Sequence, residues 1–302
     1  MLTRLYWITI ILLLTAPAHS ENGSHARLLS QQNAAQACED IANKLSSVSL
    51  NECLNSNLST SLHKSANNKS LLIKEYPPLL HKRKPLARIL MLGGIHGDEY
   101  SSVTIMFKWM KILDQYHSGL FHWKVAPLVN PDGLLQKKSQ RINANGVDLN
   151  RNFPNNGTPD ASLEYWKSRT YNDPRRYPGP TPNSEPETQW IINLIDEFKP
   201  DAIVAVHAPY GIVDYDGPPH PPSHLGHLHL KLLGTYPGSL GNYAGLQQEL
   251  PVVTIELPYA GIMPSDKEVV RIWVDMVRWL RKNIPEKSKH RKNTQLNAIN
   301  NM

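Results

Sequence analysis

Apolar residues along most of this chain follow two alternating patterns. Short continuous apolar runs, typical of buried strands, lie at residues 71–73, 87–92, 123–129, 202–206 and 252–257. Residues 102–113 instead repeat apolar side chains at helical spacing, as do the residues after Ser265. Strands that alternate with helices predict an α/β domain, in which helices flank a central, mainly parallel sheet.

Two of the predicted helices begin with a capping box. In this motif a serine and a glutamate three residues later bond to free amide groups of the first helical turn. The pairs are Ser184 with Glu187 and Ser265 with Glu268. Ahead of the first strand, residues 34–45 predict one further helix, in a stretch that is rich in Asn, Ser, Gln and Ala and has no strong strand pattern.

The first twenty residues have the pattern of a secretory signal peptide. Arg4 precedes an apolar stretch at residues 7–14, and the small residues Ala18 and Ser20 follow it. A membrane anchor is the alternative, but the apolar stretch is shorter than the ~20 residues that span a bilayer. The sequence therefore predicts secretion across the inner membrane to the periplasm, with no membrane attachment after cleavage.

Export bears on the two cysteines, Cys38 and Cys53, because thiols pair in an oxidising compartment. One disulfide is expected, and two buried free thiols are the alternative. We predict a signal peptide over residues 1–20, a small prefix with the disulfide over 21–69, a large catalytic domain over 70–282 and a basic, flexible tail over 283–302. The formal net charge is +6, and export argues against nucleic acid as a partner.

Candidate zinc ligands follow the ends of the strand-like runs. His96 and Glu99 lie in the segment GGIHGDE after one run, and His207 follows another. Sites in open α/β sheets collect at the carboxyl ends of strands, and zinc accepts imidazole and carboxylate ligands. These three residues are therefore predicted to bind one Zn²⁺. Glu256 ends a third run and is the candidate general base or acid; a paired structural carboxylate is its alternative.

A second candidate segment, residues 141–154, reads RINANGVDLNRNFP. It places Arg141 and Arg151 beside several carboxamides. A guanidinium group binds a carboxylate through two hydrogen bonds or stabilises a developing oxyanion. An ion-paired turn is the alternative for this segment alone, but together with the predicted metal ligands it indicates an anion-binding part of an active site.

These segments, together with NPDG at 130–133, SEPE at 184–187 and TIE at 254–256, resemble the zinc carboxypeptidase family in order and spacing. The resemblance extends over about residues 65–280 and implies that family's fold, a mixed sheet flanked by helices. The roles that it implies are zinc binding by His96, Glu99 and His207, polarisation of the scissile carbonyl by Arg141, binding of the substrate's terminal carboxylate by Asn150 and Arg151, and activation of water by Glu256.

The segment that ends in the turn PGSLG adds substrate-binding candidates. The family often has a mobile tyrosine ahead of such a turn, but the spacing to Tyr236 is shorter here, so its helper role stays open. Leu240 occupies a position that often sets side-chain preference, and an uncharged residue there argues against simple selection of Lys or Arg. Asp214 and Asp216 are candidate contacts for a cationic substrate group.

Within the family, the motif wording resembles the murein peptide amidase branch, which cleaves the bond between γ-D-glutamate and meso-diaminopimelate in cell-wall peptides. The resemblance implies a zinc-dependent exopeptidase that acts near the C-terminus of short peptides, with a muropeptide as substrate. The signal peptide and the cysteine-bearing prefix depart from that branch, whose enzyme is cytoplasmic.

The alternative functions are a general L-peptide metallocarboxypeptidase, an N-acyl amino acid deacylase and an inactive peptide-binding module. The NPDG motif and the late position of Glu256 favour a peptidase over a deacylase. Because every ligand and the base are present, the inactive module is disfavoured. The histidines at 220, 224, 227 and 229 have no carboxylate or cysteine spacing that supports a second metal site.

Overall fold

The computed structural model describes residues 19–79, 84–156 and 158–300 of the 302-residue chain. Within them, the strands form one mixed sheet in the order β1-β2-β4-β3-β5-β9-β6-β8-β7. The strands are β1 Ser59–Lys64, β2 Ser70–Tyr76, β3 Arg88–Leu92, β4 His122–Ala126, β5 Ala202–His207, β6 Ile212–Asp216, β7 His224–Leu225, β8 Leu228–Leu230 and β9 Val252–Glu256. The helices are α1 His19–Lys44, α2 Leu50–Asn55, α3 Tyr100–Tyr116, α4 Pro131–Leu135, α5 Ala161–Arg169, α6 Pro186–Phe198 and α7 Asp266–Asn300.

The four central strands, β4, β3, β5 and β9, run parallel, and the strands outside them add four antiparallel pairs and the parallel pair of β6 with β8. All six residues of β5 are buried, because helices cover both faces of the sheet there. Alternate residues of the central strands pack with α3 and α7 on one face and with α6 on the other. Strands covered on both faces are continuous apolar runs, which is why the sequence predicted them. The predicted fold class is confirmed.

The two capping boxes have different outcomes. Ahead of α7, the Oγ and backbone N–H of Ser265 donate to Glu268 Oε2 at 2.8 and 2.9 Å, so this box is present. The box predicted at Ser184 is wrong, because α6 begins at Pro186 and the Ser184 hydroxyl donates to Glu185 at 2.7 Å. Glu187 is instead fully buried, and its carboxyl group accepts hydrogen bonds from the Ala66 N–H and from Asn143 Nδ2.

The predicted prefix is less separate from the large domain than the sequence suggested. Its last segment forms β1, which pairs antiparallel with β2, so the expectation of no strand there is wrong. The pattern was hidden because STSLHK is mostly polar and lies at the edge of the sheet. Cys38 and Cys53 form the expected disulfide between α1 and α2, with their Cα atoms 5.5 Å apart. Ile41 and Leu45 of the same region pack into the core beside α3.

The two ends of the chain were predicted to be a signal peptide and a flexible tail. The predicted signal peptide, apart from residues 19–20, lies outside the described residues. At the other end α7 continues to Asn300 through most of the segment predicted as a flexible tail, where no Gly or Pro follows Pro285. The flexibility of that segment stays a prediction. Among the described helices, none combines the length and the apolar character that crossing a membrane requires.

Candidate active site

The three predicted zinc ligands lie together at the carboxyl ends of β3 and β5. His96, Glu99 and His207 are all buried, and one ligand atom from each lies within 4.8 Å of the others. The Nδ1 atoms of the two imidazoles are 3.1 Å apart, and the Glu99 carboxylate oxygens lie 2.8 and 3.1 Å from them. Two ligands at about 2.0 to 2.1 Å from a tetrahedral ion are roughly 3.4 Å apart, so this donor set fits one Zn²⁺.

Electrostatics keep the Glu99 ligand ionised. Burial opposes ionisation, but the imidazoles of His96 and His207 hold the pKa of Glu99 well below its ordinary value of 4.5. The carboxylate also accepts the backbone N–H of Ala208 at 3.2 Å. A buried, negatively charged oxygen donor between two imidazoles is the environment that a divalent cation requires.

The loop that carries His96 is positioned by the NPDG motif. Gly97 packs so closely that a Cβ atom there would lie 2.3 Å from the backbone carbonyl carbon of Gly133. Asn130 caps α4 by accepting the Gly133 N–H at 2.8 Å, and its Nδ2 donates to the Arg141 carbonyl at 3.1 Å. One carboxamide therefore joins the zinc-ligand loop, α4 and the arginine segment.

Asp148 is a functional residue that the sequence reasoning missed. It is fully buried, with Oδ1 3.2 Å from Nε2 of His96 and Oδ2 accepting the Arg141 Nε–H at 2.9 Å. Burial opposes its ionisation, but Arg141 and then His96 hold the pKa of Asp148 well below its ordinary range. This contact turns Nδ1 of His96 toward the other ligands, as carboxylates behind metal-bound histidines do. The position of Asp148 in the sequence segment GVDLNR was the signal that could have indicated this role.

Glu256 lies at the end of β9, directly opposite His207 in the β5–β9 pairing. Its side chain is 7% exposed, and Oε2 has no hydrogen-bond partner within the described ranges. Burial raises the pKa of Glu256 above its ordinary value, although His207 partly offsets the effect. A buried carboxyl group with an unpaired oxygen beside a metal site can accept and return a proton.

Every predicted site residue lines one cavity of about 320 Å³. Arg151 is buried, and its Nε–H has no hydrogen-bond partner among the described residues. Its guanidinium carbon lies 4.4 Å from the ring centre of Tyr236. The cavity brings together His96, Glu99, Arg141, Asn150, Arg151, His207, Asp214, Asp216, Tyr236, Leu240 and Glu256.

Hydrogen bonds join the Gly-Ser turn to the arginine segment, and the Phe153 N–H donates to the Gly238 carbonyl at 3.0 Å. Asn150 Oδ1 accepts the backbone N–H of Leu240 at 2.8 Å. Leu240 itself is buried, so its side chain forms part of the cavity wall. Tyr236 and Leu240 are thus both at the cavity, and Tyr236 contacts the arginine that the resemblance assigns to the terminal carboxylate.

The histidine-rich segment lies apart from this cavity. His224 and His229 face each other across the β7–β8 hairpin with ring centres 6.3 Å apart, and His227 Nδ1 lies 3.6 Å from Glu268. His220 precedes them in a Pro-rich loop. Among the described residues, His96, Glu99 and His207 are the group of three close metal-binding side chains, and the histidine segment forms none.

Comparison with known proteins agrees with this geometry. The model of the family described as zinc carboxypeptidase matches residues 59–216, more than half of the chain. Murein peptide amidase A of Escherichia coli is 33% identical over 201 residues, which cover 63% of this chain and 79% of that protein. Its counterpart in Vibrio campbellii is 32% identical over 179 residues, which cover 57% and 70%.

Solved structures give the same result. The murein-tripeptide amidase MpaA from Escherichia coli superposes with a TM-score of 0.50 at 29% identity, covering 72% of this chain and 89% of that one. Carboxypeptidase A from Helicoverpa armigera gives a TM-score of 0.56 at 18% identity, covering 84% and 79%, and so shows the fold. With its mixed sheet, its buried His-Glu-His group and these similarities, the chain belongs to the zinc carboxypeptidase family of metallopeptidases.

Proposed function

We propose that this protein removes the C-terminal residue of short cell-wall peptides by hydrolysing the bond between γ-D-glutamate and diaminopimelate. The observation that carries the proposal is the set of groups that line the cavity beside His96, Glu99 and His207. The cavity holds a buried metal-binding group, the unpaired carboxyl oxygen of Glu256 and the buried guanidinium of Arg151 with an unpaired N–H. The similarity to murein peptide amidases supports murein peptides as the substrate class.

His96, Glu99 and His207 would hold the zinc ion. When bound there, zinc polarises a carbonyl oxygen and lowers the pKa of water. Glu256 accepts the proton of the attacking water and then donates it to the leaving amine, a role suited to a carboxyl group whose pKa burial has raised. Nη1 of Arg141 lies 3.1 Å from Nδ1 of His96. The guanidinium group can therefore donate hydrogen bonds to the oxyanion that develops on the substrate.

Arg151 and Asn150 provide a receptor for the substrate's free carboxylate. Burying a guanidinium without a carboxylate partner is costly, and a substrate carboxylate would supply one. The ring of Tyr236, 4.4 Å from the guanidinium carbon, holds Arg151 in place. Because the carboxylate is bound at a set distance from the metal ligands, the cleaved bond is the one next to the C-terminal residue.

We further propose that the enzyme is exported and acts in the periplasm. The support is the signal-peptide pattern of the first twenty residues and the Cys38–Cys53 disulfide, a bond typical of oxidising compartments. A second candidate function is that of a general carboxypeptidase for ordinary L-peptides. Leu240 favours it, because an apolar side chain in the cavity wall suits an apolar C-terminal residue.

The test is incubation of zinc-loaded protein with L-Ala-γ-D-Glu-diaminopimelate and, separately, with an L-peptide ending in Phe or Leu, followed by mass analysis. Release of diaminopimelate with a higher kcat/KM than release of Phe or Leu is expected. The matched control is zinc-loaded Glu256→Gln, which should release neither. Faster cleavage of the L-peptide by the wild type would replace the murein proposal with the general carboxypeptidase.

A further inference from the structure

The last turn of α1 contacts a segment of the large domain that leads directly to the active site. Nζ of Lys44 donates hydrogen bonds to the backbone carbonyls of Gln136 and Lys137, at 2.5 and 3.2 Å. Gln136 is the C-terminal cap of α4, and the carbonyls at this end of a helix carry partial negative charge. An ammonium group is therefore a favourable partner for them, and the contact joins the disulfide-bearing prefix to the large domain.

Residues 136–140 connect α4 to Arg141. The side chains of residues 136–138 are exposed, so burial does little to hold the start of this segment. Its other end is held to α4, because the Gln140 N–H donates to the Gly133 carbonyl at 2.9 Å. Exposed segments with few buried contacts open at low free-energy cost. The two hydrogen bonds from Lys44 therefore restrict a part of the chain that would otherwise move readily.

Two groups of the active site are joined to this segment. Arg141 follows it directly in the sequence. Tyr100, the residue after the zinc ligand Glu99, donates from its hydroxyl group to Ser139 Oγ at 2.8 Å. Nζ of Lys44 also lies 5.9 Å from the centre of the Tyr100 ring, within the range of a cation–π contact. Lys44 thus contacts both the segment before Arg141 and the residue after Glu99.

The disulfide restrains the part of the chain that carries Lys44. Cys38 precedes Lys44 on α1 and is bonded to Cys53 of α2, so Lys44 lies within the segment that the cross-link closes. The same segment is anchored to α3, because the hydroxyl groups of Ser47 and Thr104 lie 2.8 Å apart. A cross-link limits the conformations of the chain between its ends, and here those ends lie on either side of Lys44.

We propose that Lys44 is a positioning residue for this active site. Its hydrogen bonds to the carbonyls of residues 136 and 137 hold Arg141 where the guanidinium group meets the developing oxyanion, and the Cys38–Cys53 bond holds Lys44. This inference rests on the proposed function, since it concerns the same reaction. It gives the cysteine-bearing prefix a role in catalysis through the loop that the prefix contacts.

The first test is the steady-state hydrolysis of L-Ala-γ-D-Glu-diaminopimelate by zinc-loaded variants. Lys44→Met removes the ammonium group and keeps the length of the side chain. Its kcat should be lower by roughly 10-fold with KM nearly unchanged, because Arg141 acts on the transition state. Lys44→Arg retains hydrogen-bond donors and should recover most of the lost kcat. The matched control is Lys64→Met, which removes a prefix ammonium group that donates to Ser70 Oγ at 3.0 Å and should keep the wild-type kcat.

The contribution of the disulfide is tested with the double variant Cys38→Ala/Cys53→Ala, assayed well below its unfolding temperature. Loss of the cross-link should lower kcat in the wild-type background. In the Lys44→Met background it should have no further effect, because the contact through which it acts is already absent. A loss by the same factor in both backgrounds would show that the cross-link does not act through Lys44.

Hydrogen exchange at the Gln140 amide separates this inference from the proposed function, because it needs no substrate. In the zinc-loaded proteins, exchange should be roughly 10-fold faster in Lys44→Met than in the wild type and should return toward the wild-type rate in Lys44→Arg. If the tripeptide is cleaved but Lys44→Met keeps the wild-type kcat, the inference is wrong and the function stands. If the tripeptide is not cleaved, the function is wrong; faster exchange in Lys44→Met then supports the inference, and unchanged exchange overturns it.

Discussion

Glu187 tests whether burial or hydrogen bonding dominates the energetics of a buried carboxyl group. It lies in the first turn of α6, is fully buried and does not line the catalytic cavity. Burial raises its pKa from 4.5 to about 7, against the opposing hydrogen bonds from Ala66 N–H and Asn143 Nδ2, both 3.1 Å long. The nearby charge of Asp132 raises the pKa further.

The direction and size of the stability change follow from these values. Below pH 4.5 the Glu187 carboxyl group is protonated in both the folded and the unfolded protein, and its contribution to stability is complete. Between pH 4.5 and about 7 the unfolded chain releases this proton while the folded protein retains it, so the free energy of unfolding falls as pH rises. At about 1.4 kcal/mol for each pH unit, the contribution lost is roughly 3 kcal/mol.

The measurement is urea unfolding of wild type and Glu187→Gln at pH 5 and pH 8, at one fixed zinc concentration. The free energy of unfolding of the wild type, relative to that of the variant, should be about 2.5 kcal/mol lower at pH 8 than at pH 5. Glu197→Gln, an exposed change on the same helix, controls for the loss of a carboxylate at the surface. A relative stability that stays level or rises with pH would refute the reasoning, because the hydrogen bonds from Ala66 and Asn143 would then outweigh burial.

Three further predictions concern the cavity and the disulfide. Glu256→Gln should retain zinc but lose at least about 100-fold in kcat, because it cannot transfer the proton, whereas His207→Ala should lose zinc as well. Measurements of metal content and turnover on the same samples check both variants. An active Glu256→Gln enzyme would contradict the assignment. Amidating the substrate's terminal carboxylate should lower kcat/KM of the wild type by roughly 10- to 100-fold but hardly affect Arg151→Ala; an equal effect on both would place the carboxylate elsewhere. Replacing both Cys38 and Cys53 by Ala should lower the free energy of unfolding by about 3 kcal/mol, since the bond joins residues 15 positions apart; denaturant titration that finds no loss would mean that the cross-link contributes little.

The strands of this fold differ in how visible they are in the sequence. β3, β5 and β9 could be predicted because both of their faces are covered, so nearly every residue is apolar. β1 could not, because it lies at the sheet edge and is held by backbone pairing to β2. The side chain of Leu62, in the middle of β1, is fully exposed, so no apolar run marks the strand.

The same contrast applies to the site. The grouping of His96, Glu99 and His207 could be predicted, because residues of zinc-binding type follow strands and match a family pattern. The role of Asp148 could not, because its contact with His96 joins residues 52 positions apart and depends on the path of the intervening loop. Glu187 was misassigned to a capping box for a related reason: its partners Ala66 and Asn143 are distant in sequence, so no local pattern marks them.

The distribution of the metal-binding residues along the chain determines the order in which the enzyme matures. His96 and His207 are 111 positions apart, and their side chains meet only after β3 and β5 have paired. Closing loops of this length carries a large entropic cost, which the pairing and burial of the central strands must offset first. A small zinc finger gathers nearby ligands and folds around its ion, but this chain cannot nucleate in that way. We therefore expect strand pairing to come first and metal uptake to be a step of the folded protein.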